Sequence, residues 1–205
     1  MNQRVNFTFQ YKIYYLFTHI IKIFIQLLRK KTFIPISLPF FTNQIFYNKC
    51  SKKLVKFKIR DHVDYRVVNQ IFNEENYSLK KFIRYKEIKK KYDNLVKKKL
   101  KPLILDCGGH IGLASKYFSI IYPHSKIILI EPEIENFNQS KKNNLNNNIE
   151  ILNGGIGSEN AKCKVFDPGI GNWGYRVKKN NKGDGNIFSV NHLLKKFKKK
   201  MKYSL

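Results

Sequence analysis

The sequence predicts an α/β chain, a doubly wound parallel sheet begun but not completed, with an amphipathic helix in front of it. Three observations carry that expectation. Leu103-Ile104-Leu105 is an unbroken apolar run that stops at Asp106, turns through Gly108, Gly109 and Gly112, and resumes with helical spacing at Ile111, Ala114 or Ser115, and Phe118. Ile127 to Ile130 is a second apolar run, and it stops at Glu131. Ile149-Glu150-Ile151-Leu152 reads as a third strand, left through Asn153-Gly154-Gly155. Apolar runs without alternation mark strands covered on both faces, as parallel strands are.

In chain order, Ile13 to Lys31 comes first. Ile13, Phe17, Ile20, Phe24, Leu27 and Leu28 recur at helical spacing, with Thr18, His19, Lys22, Gln26, Arg29 and Lys30 opposite. His19 and Lys22 interrupt the apolar stretch, which is too short to span a bilayer. No small-residue cleavage site follows it, so a secretory leader is not expected. Two readings of its apolar face stay open: packing on the protein, or contact with a membrane surface through residues 13–31, which Arg29-Lys30-Lys31 would favour. Pro35 and Pro39 predict a linker over 32–48.

Val55, Phe57 and Ile59 alternate with lysines as a half-buried strand does, and Val67, Val68, Ile71 and Phe72 line one side of a helix that Asp64 is expected to cap. Lys80 to Lys101 predicts a lysine-rich helix covering the sheet, ended by Pro102. Ile134 to Leu145 predicts the helix after the second strand, with Pro132 near its start. Residues 161–179 predict a hairpin around Pro168-Gly169, and Phe188 to Phe197 a last helix with Ser189 or Asn191 as its cap. Three segments follow: 1–48, amphipathic helix and linker; 49–101, an opening strand with covering helices; and 102–205, the sheet.

Composition adds two constraints. The formal net charge of +26 invites a nucleic-acid or anionic-membrane partner. The excess is nearly all lysine, and with abundant Asn, Ile, Phe and Tyr it reads first as base-composition bias in the coding sequence, so nucleic acid is not the expected partner. Cys50, Cys107 and Cys163 form no close pair, which fits a reducing, cytoplasmic compartment. Asp167 and Asp184 have no base or metal-ligating partner at a recognisable spacing.

The chemistry gathers at the first turn. G-x-G-x-x-G would need glycine at 110, where the chain has His110. What stands is Asp106-x-Gly108-x-x-x-Gly112, and Glu131 lies 19 positions beyond Gly112, the usual reach from a glycine turn to an acid that takes ribose hydroxyls. Asp106 to Leu113, with Tyr117-Phe118, Tyr122-Pro123, Ile130-Glu131-Pro132-Glu133 and Asn136-Phe137, resembles the FkbM family of methyltransferases in order and spacing. Upstream, Asn69-Gln70-Ile71-Phe72 and Glu75-Asn76-Tyr77 are similar to the same family. The family usually has Ala and Asn where this chain has Gly109 and His110.

That resemblance implies a Rossmann-like fold of the class I methyltransferase type, with S-adenosylmethionine as cofactor. It places Asp106, Gly108, Gly109, His110, Gly112 and Glu131 around the cofactor, and Gly155 beside the adenine. It implies O-methylation of a sugar, glycan or other small hydroxylated acceptor, with no catalytic base assigned. The family also has a fourth core strand where this chain stops, so a truncated chain or half of a split protein is expected. The alternative is a non-catalytic basic module holding RNA or an anionic membrane. Location is expected to be cytoplasmic, peripheral to the inner membrane face if residues 13–31 engage lipid, with oligomeric state open.

Overall fold

The computed structural model describes residues 9–28, 31–169, 171 and 173–202, without the side chains of 11, 15, 22, 26 and 198–202. Arg29 and Lys30 of the expected basic helix end, the side chains of Lys198 to Lys200, and Tyr203 to Leu205 therefore lie outside the described residues. The chain divides into two compact units, Met1–Tyr77 and Ser78–Leu205.

In the first unit, helix α1 (Phe9–Leu28) precedes an antiparallel meander of β1 (Phe33–Pro35), β2 (Asn43–Asn48) and β3 (Lys53–Lys58). The linker expected over 32–48 is instead two strands, and the boundary expected after residue 48 falls in a turn between strands paired along their whole length. Prolines misled the reading because Pro35 sits in an edge strand, where a missing N–H is tolerated. Asn48 closes the turn, its Oδ1 accepting the N–H groups of Cys50 at 2.8 Å and Ser51 at 3.2 Å. Beneath the sheet run α2 (His62–Val68) and a π-helical turn (Asn69–Asn73). Phe72 meets Phe33 edge-on, and stacks with Phe57 at 4.9 Å between ring centroids.

Asp61, not Asp64, caps α2: its side chain accepts the N–H groups of Val63 and Asp64. Asp64 is wholly buried and paired with Arg60, Nε to Oδ2 at 2.9 Å. Adjacent acids at a helix start are not separable by propensity; here the first meets the free N–H groups and the second turns inward.

The second unit opens with a 3₁₀ turn (Leu79–Lys81) and α3 (Tyr85–Lys97), followed by β4 (Leu103–Cys107), α4 (Leu113–Ile121), β5 (Lys126–Glu131), α5 (Ile134–Asn143) and β6 (Ile149–Asn153). The strands form a parallel sheet in the order β4-β5-β6, so the unit is mixed α/β. Successive residues of β5 serve opposite faces. Ile127 and Leu129 pack with Phe118 of α4, while Ile128 and Ile130 pack with Leu193 and Phe197 of a later helix. That double covering is why the run has no alternation. Among the described residues β4 pairs on one side only.

Beyond β6 the expected exit loop is largely a strand, β7 (Gly155–Gly157), in a second sheet with β8 (Ala161–Phe166), β9 (Arg176–Lys179) and β10 (Gly185–Ser189), ordered β7-β10-β8-β9. The 161–179 hairpin is present, with Val165 opposite Val177. The last helix, α6 (Val190–Lys202), starts later than expected, because Phe188 is still in β10; Ser189 Oγ accepts the N–H of His192 as its cap. The lysine-rich helix is shorter than expected and buries none of its residues. A cavity of about 560 Å³ lies between Ile88, Tyr92 and Leu95 of α3 and Leu103 and Ile104 at the start of β4. Among the described residues no helix is long and apolar enough to cross a membrane.

Phe72 is fully buried among rings of three strands. Phe72→Ala is expected to cost about 3–5 kcal/mol, read from urea unfolding by circular dichroism. A loss under about 1 kcal/mol would show that this cluster does not hold the unit together.

Candidate functional site

The site begins where β4 and β5 end. In the parallel register Asp106 lies opposite Leu129, and Glu131 is two residues further along β5. Side chains alternate along a strand, so both carboxylates belong to the same face of the sheet, the one that α4 covers. Strand spacing and rise put their Cα atoms about 8 Å apart.

The loop between them is folded back over β5. Gly108 and Gly109 both donate their N–H groups to Ile130 O, at 2.9 and 3.1 Å. His110 donates its N–H to Glu131 Oε2 at 2.7 Å, and Gly112 its own to Gly109 O at 2.8 Å. These main-chain donors, expected to line a ligand floor, are thus engaged within the protein. The glycines divide the work unequally. Gly108, at φ 83°, has nothing within 4 Å of where a side chain would start, so it alone of the three opens on free space. A Cβ on Gly112, at φ 82°, would meet Asn144 Nδ2 at 2.1 Å, and one on Gly109 would meet Leu129 Cγ at 2.4 Å. Those two positions are bare because the loop lies tight on the sheet and α5.

Asparagines hold the loop from the other side. Asn143 Nδ2 donates to Ile111 O and Asn144 Nδ2 to Gly112 O, both at 3.0 Å. Both residues are buried, and neither stood out in the sequence, where they open an asparagine run that reads as a turn. Ser115 was missed for a similar reason: it reads as a helix-face residue, yet its Oγ donates to Asp106 Oδ2 at 2.6 Å.

Compared with models of known families, with curated proteins and with solved structures, the chain matches none.

Electrostatics distinguish the two acids from ordinary surface carboxylates. Burial raises the pKa of Asp106 above the usual carboxylate range, opposed by its bonds from Ser115. Burial also raises that of Glu131, opposed by the N–H groups of Glu133 and His110 and the amide of Asn136. Glu131 is only 4 % exposed. Its Oε1 accepts from Glu133 N at 3.1 Å and Asn136 Nδ2 at 3.4 Å, so spare acceptor capacity remains on Oε2, beside the bond from His110. Cys107, though exposed, has its thiol pushed up by partial burial and by the Asp106 charge, which disfavours the reactive thiolate. His110, buried at φ 49°, belongs to the loop's own fabric. Gly155 lies in β7 opposite Ile187, and a Cβ there would meet Val177 at 2.6 Å; its bareness makes room for β9. Among the described residues no group of three or more His, Cys, Asp or Glu is placed to hold a metal ion.

The raised pKa of Asp106 has a consequence for stability. A carboxyl whose folded pKa exceeds its unfolded one stabilises the fold while protonated, fully below the unfolded pKa, and that contribution is lost as pH rises through the folded pKa. As pH rises through the folded pKa the wild-type chain loses it, whereas an uncharged asparagine does not. Asp106→Asn, which still offers an oxygen to Ser115, is expected to gain in melting temperature over wild type as pH rises above the ordinary carboxylate range, with the gain shrinking as pH falls back into it. Calorimetric melting across pH checks this; a difference in the variant's favour that narrows as pH rises would show that the charge is wanted by the fold itself.

Proposed function

We propose that the chain binds S-adenosylmethionine at the ends of β4 and β5 and serves an O-methyltransferase reaction of the FkbM type on a sugar or other small hydroxylated acceptor. The observation that carries this reading is the placement of Asp106 and Glu131 on one face of a parallel sheet, at the carboxyl ends of adjacent strands, with open space at Gly108 in the loop that leaves the first of them. Ligands of doubly wound sheets sit outside those strand ends.

The residues fit such a cofactor on three counts. Asp106 is an acid whose burial penalises its charge, and a cationic ligand would relieve that penalty. Glu131 ends a parallel strand with acceptor capacity left on Oε2 for a ribose hydroxyl. His110 adopts a left-handed backbone that Asn, usual in the family at that place, also tolerates. Gly109 replaces the family's alanine because Leu129 fills the space a methyl would need.

Bound there, the cofactor supplies an electrophilic methyl group on a sulfonium centre. The chain's own share is to hold it: Asp106 toward the methionine portion, Glu131 on the ribose, the loop from Gly108 to Gly112 fixing both. Positioning of this kind makes the larger part of the rate in methyl transfer, and a base for the acceptor hydroxyl is not assigned. The alternative, a non-catalytic basic module, finds support in the N-terminal helix rather than in this site.

Titration calorimetry tests the reading. Glu131→Ala is expected to weaken S-adenosylmethionine binding by about 1.5–3 kcal/mol, roughly ten- to a hundredfold, if the charge-assisted bond to the ribose is lost. Thermal melting of the same variant is read alongside, because Glu131 also receives the His110 N–H. Undiminished affinity in a folded variant, or no binding by the wild-type chain, would overturn it.

A further inference from the structure

Helix α1 carries an unusual surface. Phe9, Ile13, Phe17, Ile20, Phe24 and Leu27 recur every three or four residues and form one stripe along its length. All six are exposed, Phe9 by 77 %, Phe17 by 66 % and Phe24 by 64 %. Tyr14, Ile21 and Leu28 widen the stripe and are exposed as well. A 20-residue helix is about 30 Å long, so the uncovered face exceeds what single scattered apolar residues produce. His19, outside the stripe, is buried, and Lys12 and Thr18 are half-buried. Among the described residues the helix therefore turns an apolar stripe outward, while His19 and, in part, Lys12, Thr18 and Ile23 are covered, unlike a helix whose apolar stripe packs on its own domain.

The charge along the first 60 residues of the sequence is one-sided as well. Residues 1–60 contain 12 Lys and Arg and no Asp or Glu; the first acid is Asp61. A partner must accept both features. RNA would pair with the cations and leave the apolar stripe in water. A second copy could cover the stripe but would bring another acid-free basic segment against the first. A bilayer with anionic headgroups takes both at once, burying the stripe at the acyl boundary while its phosphates and carboxylates face the lysines.

We propose that α1 lies in the surface of an anionic membrane, with Phe9, Phe17 and Phe24 as its inserted anchors. The helix rests on the surface, since it is not apolar enough to cross. Both orders of charge and apolarity are needed: a single weak apolar element binds reversibly, and the basic segment supplies the second signal.

Co-sedimentation of the full chain with vesicles is the test. The chain is expected to bind vesicles of phosphatidylcholine with phosphatidylserine at least tenfold more tightly than phosphatidylcholine alone, and to lose most but not all of that binding at high salt. Phe17→Glu with Phe24→Glu, both at exposed positions, should raise the lipid concentration needed for half-binding roughly a hundredfold with unchanged far-ultraviolet circular dichroism. A chain that stays in the supernatant with both vesicles, or a double variant that binds as wild type does, would overturn the proposal. So would a wild-type dimer that the double variant abolishes without any lipid binding. Glu131→Ala should leave vesicle binding unaltered, which separates this result from the fate of the cofactor site.

Discussion

The loop after β4 depends on one hydrogen bond, from the His110 N–H to Glu131 Oε2 at 2.7 Å. Glu131 is buried, and an isolated carboxylate would be too costly there; it is tolerated because main-chain donors from His110 and Glu133 converge on it. The same bond brings the glycine loop across the end of β5 and sets the distance between the loop and the second acid. Gly108 and Gly109 then bond Ile130 O, and the asparagines at the end of α5 take the loop's carbonyls. With donors and acceptors matched on both sides, the loop has little freedom to open, which suits a site built by positioning.

This arrangement assigns the glycines a different physical role from the one their spacing suggests. A glycine-rich turn at a strand end is usually read as main chain left bare for a ligand. Here Gly109 and Gly112 are bare because Leu129 and Asn144 lie against them, and only Gly108 faces open space. The distinction matters for substitutions: a side chain at 109 or 112 would disturb the packing of β5 and α5, whereas at 108 the obstacle is the left-handed backbone alone. Glycine spacing thus reports the tightness of the loop as much as the presence of a guest.

How much was legible follows from the range of the interactions. The strand at 126–131 announced itself because burial on both faces removes alternation, those at 103–107 and 149–153 through short, mostly apolar runs bounded by turn residues, and α1 through its spacing. The meander at 33–58 was half missed, since Pro35, Gln44 and Asn48 look like loop residues until their partners across the sheet are known. Gln44 is buried with its amide donating to Phe41 O and Leu38 O, so a polar side chain that reads as exposed is spent inside the turn before β2. In the site, the acids were visible because strand-terminal carboxylates are rare. The asparagine clamps were not, because asparagine is common in this chain and its run at 143–148 reads equally well as a turn.

The lysine excess is where composition and structure bear on each other. Base-composition bias would account for lysine in place of arginine, but lysine and glutamate codons are similarly rich in adenine, so it would not by itself empty a segment of acids. An even spread of the chain's 14 acids would put about four in the first 60 residues, and there are none, whereas residues 61–205 hold 28 Lys and Arg against all 14 acids. The imbalance coincides, among the described residues, with a helix whose apolar stripe is turned to solvent. A basic segment without exposed apolar surface would fit any polyanion, and an exposed apolar helix without the charge would fit any hydrophobic groove. Their coincidence in one segment is the ground for proposing a surface that is apolar at one depth and anionic at the next.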